Sequence, residues 1–333
     1  MNETKFLVIG SNSFSGSHFV KEVLDQGNKV IGVSRSQEPQ KVFLPYKWTK
    51  NNKNTNFNFY SLDINKDLEE LINKIKEFEP QYVVNFASQG MVAESWLNPI
   101  HWYKTNLLSQ VEFHDEIRKM KFIKKYVHIS TPEVYGDTED WIKENHNFNP
   151  TTPYSVSRAA CDMHLLSFYK AYDFPVIFTR AANVYGPGQQ LYRIIPRTLL
   201  SLRTKKPLDL HGGGYSKRSF IHINDVVKAT YNLALKAEPG SCWHISTNEA
   251  ISIRDLVKKM CEMTNSEFNS IVNEVGERLG KDKNYLLNSD NLRSNFNWSD
   301  KISLHNGIEE TMSWIDQNLD LLNTLPWEYV HKA

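Results

Sequence analysis

Four residues of this 333-residue chain have the types and spacing to move protons and stabilise charge: Thr131, Glu133, Tyr154 and Arg158. Tyr154 and Arg158 stand four apart in "TTPYSVSRAACD"; if Pro153 opens a helix, both side chains project from one face about a turn apart. A cation held beside a phenol stabilises the phenolate and lowers a pKa that is about 10 when unperturbed. Glu133 lies in "HISTPEVYG", where an apolar run stops at Ser130 and a carboxylate follows two residues after a threonine. An ionisable group just beyond a buried strand is either a proton-transfer group or the cap of a loop, and the segment by itself leaves both open.

A second constellation suits an anion. In "GSNSFSG", Gly10 and Gly16 keep the outer positions of a dinucleotide-binding glycine turn and Ser13 replaces the middle glycine, with Phe14 and Ser15 completing the turn. Small residues there let the backbone approach a pyrophosphate, and the following helix N-terminus supplies amides and a favourable dipole. The second strand ends in "GVSRSQ", where an NAD-specific fold commonly carries an acid for the ribose hydroxyls. Arg35, flanked by Ser34 and Ser36, suits a 2′-phosphate instead, which favours NADP over NAD; stacking of Arg35 on adenine would keep NAD open. Asp63 and Ile64, after the third strand, are placed to bracket the adenine ring.

These groups need a scaffold of strand ends. Strand-like runs ("KFLVIG", "KVIGVS", "NFNFYSLDI", "YVVNFAS", "KYVHIS", "PVIFTRAAN") alternate with helix-like ones ("SGSHFVKEVLDQG", "DLEELINKIKEF", "HWYKTNLLSQVEFHDEIRKM" and a helix from Pro153). The alternation predicts an α/β fold, a Rossmann-like doubly wound parallel sheet. Beyond "VYGPGQQ" the Gly and Pro punctuation predicts a smaller, mixed α/β substrate-binding part. We place the dinucleotide domain at 1–180 with 220–247 and the substrate domain at 181–219 with 248–333.

Composition narrows the classes. A balance of 39 basic and 38 acidic residues, net +1, gives no bulk attraction to nucleic acid or an anionic membrane. The eight tryptophans and fifteen tyrosines are scattered, not interleaved with a basic cluster. Cys161, Cys242 and Cys261 are too few and too widely spaced for a disulfide framework or a zinc site, so no metal is expected. The N-terminus enters a strand pattern directly, which with the absence of a membrane-length apolar run predicts a cytoplasmic protein.

Taken together, "GSNSFSG", "VNFAS", "HISTPEVYG", the Tyr154–Arg158 pair and "NVYGPGQ" resemble the extended short-chain dehydrogenase/reductase family, and within it the nucleotide-sugar 4,6-dehydratase branch of the epimerase/dehydratases. The resemblance runs in family order from Gly10 to "ERLGKDKNY". It implies cofactor contacts from Phe86, Ala87, Ser88, Asn106, Tyr154 and Arg158. Asn183, Arg218 and Arg278 match diphosphate-binding residues; Arg193, Gln89, Asp282 and Tyr285 are expected around the nucleotide sugar. It also implies a homodimer through a four-helix interface built from the helices near 101–120 and 153–172.

What the resemblance implies for Glu133 is a base. Thr131 would hold the 4-hydroxyl, Tyr154 take its proton while hydride leaves carbon 4, and Glu133 remove the carbon 5 proton made acidic by the new ketone. Water would leave from carbon 6 and the hydride return there, giving an NDP-4-keto-6-deoxyhexose with a tightly held, recycled cofactor. Two departures stand out: the family's lysine is Arg158 here, and Pro132 occupies a place where many dTDP-glucose dehydratases carry a proton-donating aspartic acid. Dehydratases of the GDP-mannose type also lack that aspartate, so Glu133 would carry the proton to the leaving oxygen itself. Epimerases and UDP-glucuronate decarboxylases of the same fold, and a cofactor-binding relative without catalysis, remain the alternatives. "ASQGMVAESW" offers no cation for a sugar carboxylate, which favours a neutral hexose.

Overall fold

The computed structural model describes residues 4–48, 56–277 and 284–332. Lys5–Ile9 (β1) leads into Phe14–Asp25 (α1), followed by Lys29–Ser34 (β2), Phe57–Ser61 (β3), Leu68–Phe78 (α2) and Tyr82–Asn85 (β4). The expected single helix after β4 is divided: Pro99–Tyr103 (α3) and Ser109–Ile117 (α4) are joined by a π-helical turn at Lys104–Leu108. Such turns recur at functional sites because they re-aim side chains, and this one directs the fully buried Asn106 inward. Next come Lys125–Ile129 (β5), Pro153–Tyr172 (α5), Val176–Ala181 (β6), Ile194–Thr204 (α6), Ile223–Lys236 (α7), Cys242–Ile245 (β7) and Ile253–Met263 (α8).

Among the described residues the main sheet has seven parallel strands in the order β3-β2-β1-β4-β5-β6-β7. Period-two alternation puts Phe6 and Val8 against Val20 and Val23 of α1 and Val226 and Leu233 of α7 on one face. Leu7 and Ile9 meet Leu71 and Ile75 of α2 and Leu165 of α5 on the other. Each such side chain, fully buried, is worth about 1.5–3 kcal/mol before entropic costs. Because β1 pairs with both β2 and β4, the winding reverses there and a crevice opens at the carboxyl ends of these strands, where ligands of open α/β sheets bind.

A separate apolar core joins α6 and α8 with Ile308, Trp314, Ile315, Leu322 and Trp327 from the C-terminal helices. A small four-stranded sheet, Ile251–Ser252, Lys217–Arg218, Asn284–Leu287 and Trp141–Ile142, ties this part to the loop beyond β5. Among the described residues, no helix is long and apolar enough to cross a membrane.

Candidate active site

The end of β5 aims the first two groups. Thr131 is extended and caps a 3₁₀ turn at Pro132–Tyr135; its hydroxyl oxygen accepts the backbone N–H of Glu133 at 3.4 Å. Pro132 suits the first position of that turn because its missing N–H would have no partner there. Gly136 ends the turn at φ +70°, and an added Cβ would lie 2.2 Å from the Asn149 carbonyl oxygen. The chain then runs beside Asn284–Leu287: Asp137 Oδ1 accepts the N–H of Asn284 at 2.7 Å and Thr138 Oγ1 that of Leu286 at 3.0 Å. Tyr285 is thereby carried to Glu133.

Tyr154 comes from the other side. Thr152 caps α5 in a reciprocal box with Ser155, the two N–H···Oγ bonds being 3.1 and 2.9 Å, and Pro153 opens the helix. Tyr154 is 8% exposed and hydrogen-bonds the Thr131 side chain. Burial, and after it the charge of Glu133, push its phenol up to about 12 against the opposing pull of Arg158, Thr131 and Arg193. The expectation that Arg158 would leave this phenol below its ordinary value is therefore corrected: desolvation and a neighbouring carboxylate outweigh one guanidinium. Tyr285 is likewise pushed up to about 12 by burial and Glu133, opposed by Arg218 and by side-chain hydrogen bonds to Arg218 and Asn183. The Arg218 guanidinium lies 4.0 Å from the centroid of its ring. Thr131, Glu133, Tyr154, Arg158 and Arg193 thus form one cluster, joined through Tyr285 to Asn183 and Arg218. Arg278 and Asp282 lie outside the described residues.

Arg158 is 2% exposed and donates from Nη2 to the carbonyl of Ile129, so it cross-links α5 to β5 two residues before Thr131. The same nitrogen lies 3.3 Å from His128 Nε2, itself 3.2 Å from Asp162 Oδ1. Asp162 Oδ2 accepts from Arg180 Nη2 and from Ser130 Oγ, both at 2.7 Å. Burial works to raise the Asp162 carboxyl, but Arg180 and His128 hold it well below the ordinary range. This buried network under the site was missed from sequence, although Asp162 stands four residues after Arg158, the spacing of a helical ion pair.

The glycine turn has the form a dinucleotide needs. Gly10, at φ +79°, would place a Cβ 2.8 Å from the Ala87 nitrogen; Gly16 would place one 2.2 Å from the Gly10 oxygen. Ser13 caps α1 by accepting the Gly16 N–H at 3.0 Å, a function glycine could not supply. Phe14 is buried and Ser15 half-buried at the first turn of α1. Ser34 Oγ accepts the Asn12 N–H at 2.9 Å, and Asn12 Nδ2 donates to the Ser36 carbonyl at 2.9 Å, which fastens the first turn to the loop after β2. Asp63 accepts the Asn65 N–H, closing its own turn, and Ile64 packs in the core beside Leu71. Phe86 packs on Phe19, the Ala87 N–H donates to Asn85 Oδ1, and Ser88 is exposed. Asn106 holds the backbone of Gln89 at both N–H (2.8 Å) and C=O (3.1 Å) and bonds Ser157 Oγ at 3.0 Å. Arg35 is exposed, and its Nη1 donates to the carbonyl of Lys332, 3.2 Å away.

The model of the GDP-mannose 4,6 dehydratase family matches residues 7–311 of this chain. The chain belongs to that family. Among its relatives, a trifunctional UDP-glucose 4,6-dehydratase/UDP-4-keto-6-deoxy-D-glucose 3,5-epimerase/UDP-4-keto-L-rhamnose-reductase of Arabidopsis thaliana is 31% identical over 79% of this chain, which spans 40% of that relative's length. The dTDP-D-glucose 4,6-dehydratase of Mus musculus is 28% identical over 99% of this chain and 92% of its own. The solved structure of a dTDP-glucose 4,6-dehydratase from Bacillus anthracis in complex with NAD superposes with a TM-score of 0.86 at 28% identity, covering 97% of this chain and 100% of that one. A nicotinamide dinucleotide is thus the cofactor class of this fold, and the residues of the first turn fit it.

Proposed function

We propose that this protein is an NDP-hexose 4,6-dehydratase that converts its substrate to an NDP-4-keto-6-deoxyhexose by internal hydride transfer. The observation that supports the reading is the proximity of Glu133 to both phenols: its charge raises Tyr154 and Tyr285 alike, which sets the carboxylate within electrostatic reach of the cluster. Tyr154, hydrogen-bonded to Thr131 and near Arg158, is the group to take the proton from the 4-hydroxyl. A bound nicotinamide supplies the hydride acceptor and, being cationic when oxidised, further favours the phenolate. Glu133 then takes the carbon 5 proton, which the carbon 4 ketone has made acidic, and delivers a proton to the departing 6-hydroxyl, since Pro132 has none to give. Asn183 and Arg218, with Arg193, hold the diphosphate.

For the cofactor we propose NAD in place of the NADP that Arg35 first suggested. The relative from Bacillus anthracis carries NAD, and the Arg35 guanidinium already donates to a main-chain carbonyl. For assembly we propose a homodimer. Leu97, Ile100 and Leu108 around α3 and α4, and Met163 on α5, are 73, 75, 58 and 53% exposed, an apolar face that suits the same face of a second copy.

Incubation with a panel of nucleotide hexoses, followed by mass measurement, tests the activity. A product lighter by one water is expected. An unchanged mass would mean an epimerase, loss of carbon dioxide a decarboxylase, and no turnover a non-catalytic relative. Mass analysis of the cofactor released on denaturation separates NAD from NADP.

A further inference from the structure

We propose that the segment Glu328–Lys332 is a strap that closes the dinucleotide crevice and slows cofactor release, so that the cofactor stays bound through the internal hydride cycle; this rests on the dehydratase reading above. The observation is a bridge across the crevice. The Lys332 carbonyl accepts from Gln89 Nε2 at 2.7 Å and from Arg35 Nη1 at 3.2 Å. Arg35 follows β2 and Gln89 follows β4, the two strands that flank β1. One carbonyl therefore spans the mouth over the turn that begins at Gly10, where the sheet topology sets a pyrophosphate.

The strap is fastened on both sides of that bridge. The His331 ring lies parallel to Trp102 with centroids 5.1 Å apart, and its Nε2 is 2.9 Å from His101 Nδ1, so it is seated on α3. Tyr329 meets Tyr192 edge to face at 5.4 Å, beside Arg193. At its root, Glu328 pairs with Arg197 at 2.8 Å, and the Trp327 indole is 8% exposed in the second core. These contacts come from polar and aromatic side chains on both lips of the crevice. A dehydratase consumes no net hydride and gains nothing from exchanging its cofactor, whereas loss of the reduced form between the two hydride transfers would strand the enzyme. A strap of this kind suits that chemistry.

The test measures retention, not turnover. Wild type, a variant lacking residues 328–333 and His331→Ala are loaded with etheno-adenine NAD, chased with excess NAD, and followed by fluorescence, with thermal unfolding run in parallel. His331→Ala should release the probe about tenfold faster than wild type, the effect of losing about 1.4 kcal/mol of closure, with an unchanged melting transition; the deletion should release it faster still. Release from both variants at the wild-type rate would overturn the strap. Faster loading with slower release in the deletion variant would also overturn it, because the segment would then be a plug that competes with the cofactor. A wild-type protein that binds no nicotinamide dinucleotide at all would instead sink the dehydratase reading, and this inference with it.

Discussion

In the proposed reaction Glu133 separates a dehydratase from an epimerase, because a hydride shuttle alone needs only Tyr154 and Thr131, whereas elimination needs a base at the next carbon. Glu133→Gln should lower dehydration by roughly 10²–10⁴-fold and abolish deuterium wash-in at carbon 5. The same substitution removes a negative charge that raises the Tyr154 phenol. The phenolate will then form at lower pH, so reduction of the bound nicotinamide, followed by its absorbance, should shift its pH profile toward acid. An alkaline or absent shift would separate the carboxylate from the phenol and remove the electrostatic basis of the assignment. Arg158 acts on two levels: its charge opposes the burial of Tyr154, and its hydrogen bond to Ile129 holds α5 against β5. An ammonium would keep the first contribution but presents no planar fork for the second.

At the scale of elements, the register of β5, α5 and β6 under the site rests on Asp162. It is fully buried and neutralises Arg180 from β6 while bonding Ser130 and lying beside His128 from the end of β5. Asp162→Ala leaves the buried guanidinium of Arg180 without its carboxylate. The expected loss is about 3–5 kcal/mol by chemical denaturation, the cost of breaking a buried pair on one side. A loss below about 1 kcal/mol would mean that water reaches the network and that it plays no part in aligning the elements. The helix starts show the same division of labour on a smaller scale. Ser13 and Thr152 each cap the helix whose first turn carries a candidate group, α1 with its glycine turn and α5 with Tyr154.

For the whole molecule, buried histidines set the response to acid. Burial pushes His18 down to about 3, His222 to about 4 and His244 to about 3, and holds His114 well below its ordinary value. The unfolded chain binds these protons near pH 6.5, before the folded one does. Their contribution to stability is therefore complete above about pH 6.5 and is lost as pH falls toward the folded values, at about 1.4 kcal/mol per pH unit for each histidine. Denaturant midpoints should fall steeply between about pH 6 and 4; a flat profile would show that these rings are solvated. The sequence by itself determined the order of the main strands and helices and the glycine turn, and it singled out Thr131, Glu133, Tyr154 and Arg158 as candidates, because those are written in local periodicity, capping residues and short spacings. It also carried the family. Only the tertiary structure decided that Glu133 lies near enough to Tyr154 and Tyr285 to raise both phenols, and that Arg158 is tied to Ile129. It alone joined His128, Asp162 and Arg180 into one network and laid Lys332 across Arg35 and Gln89, residues 297 and 243 positions away. Burial and charge proximity depend on which distant segments meet, and a pattern along one chain does not hold that distance.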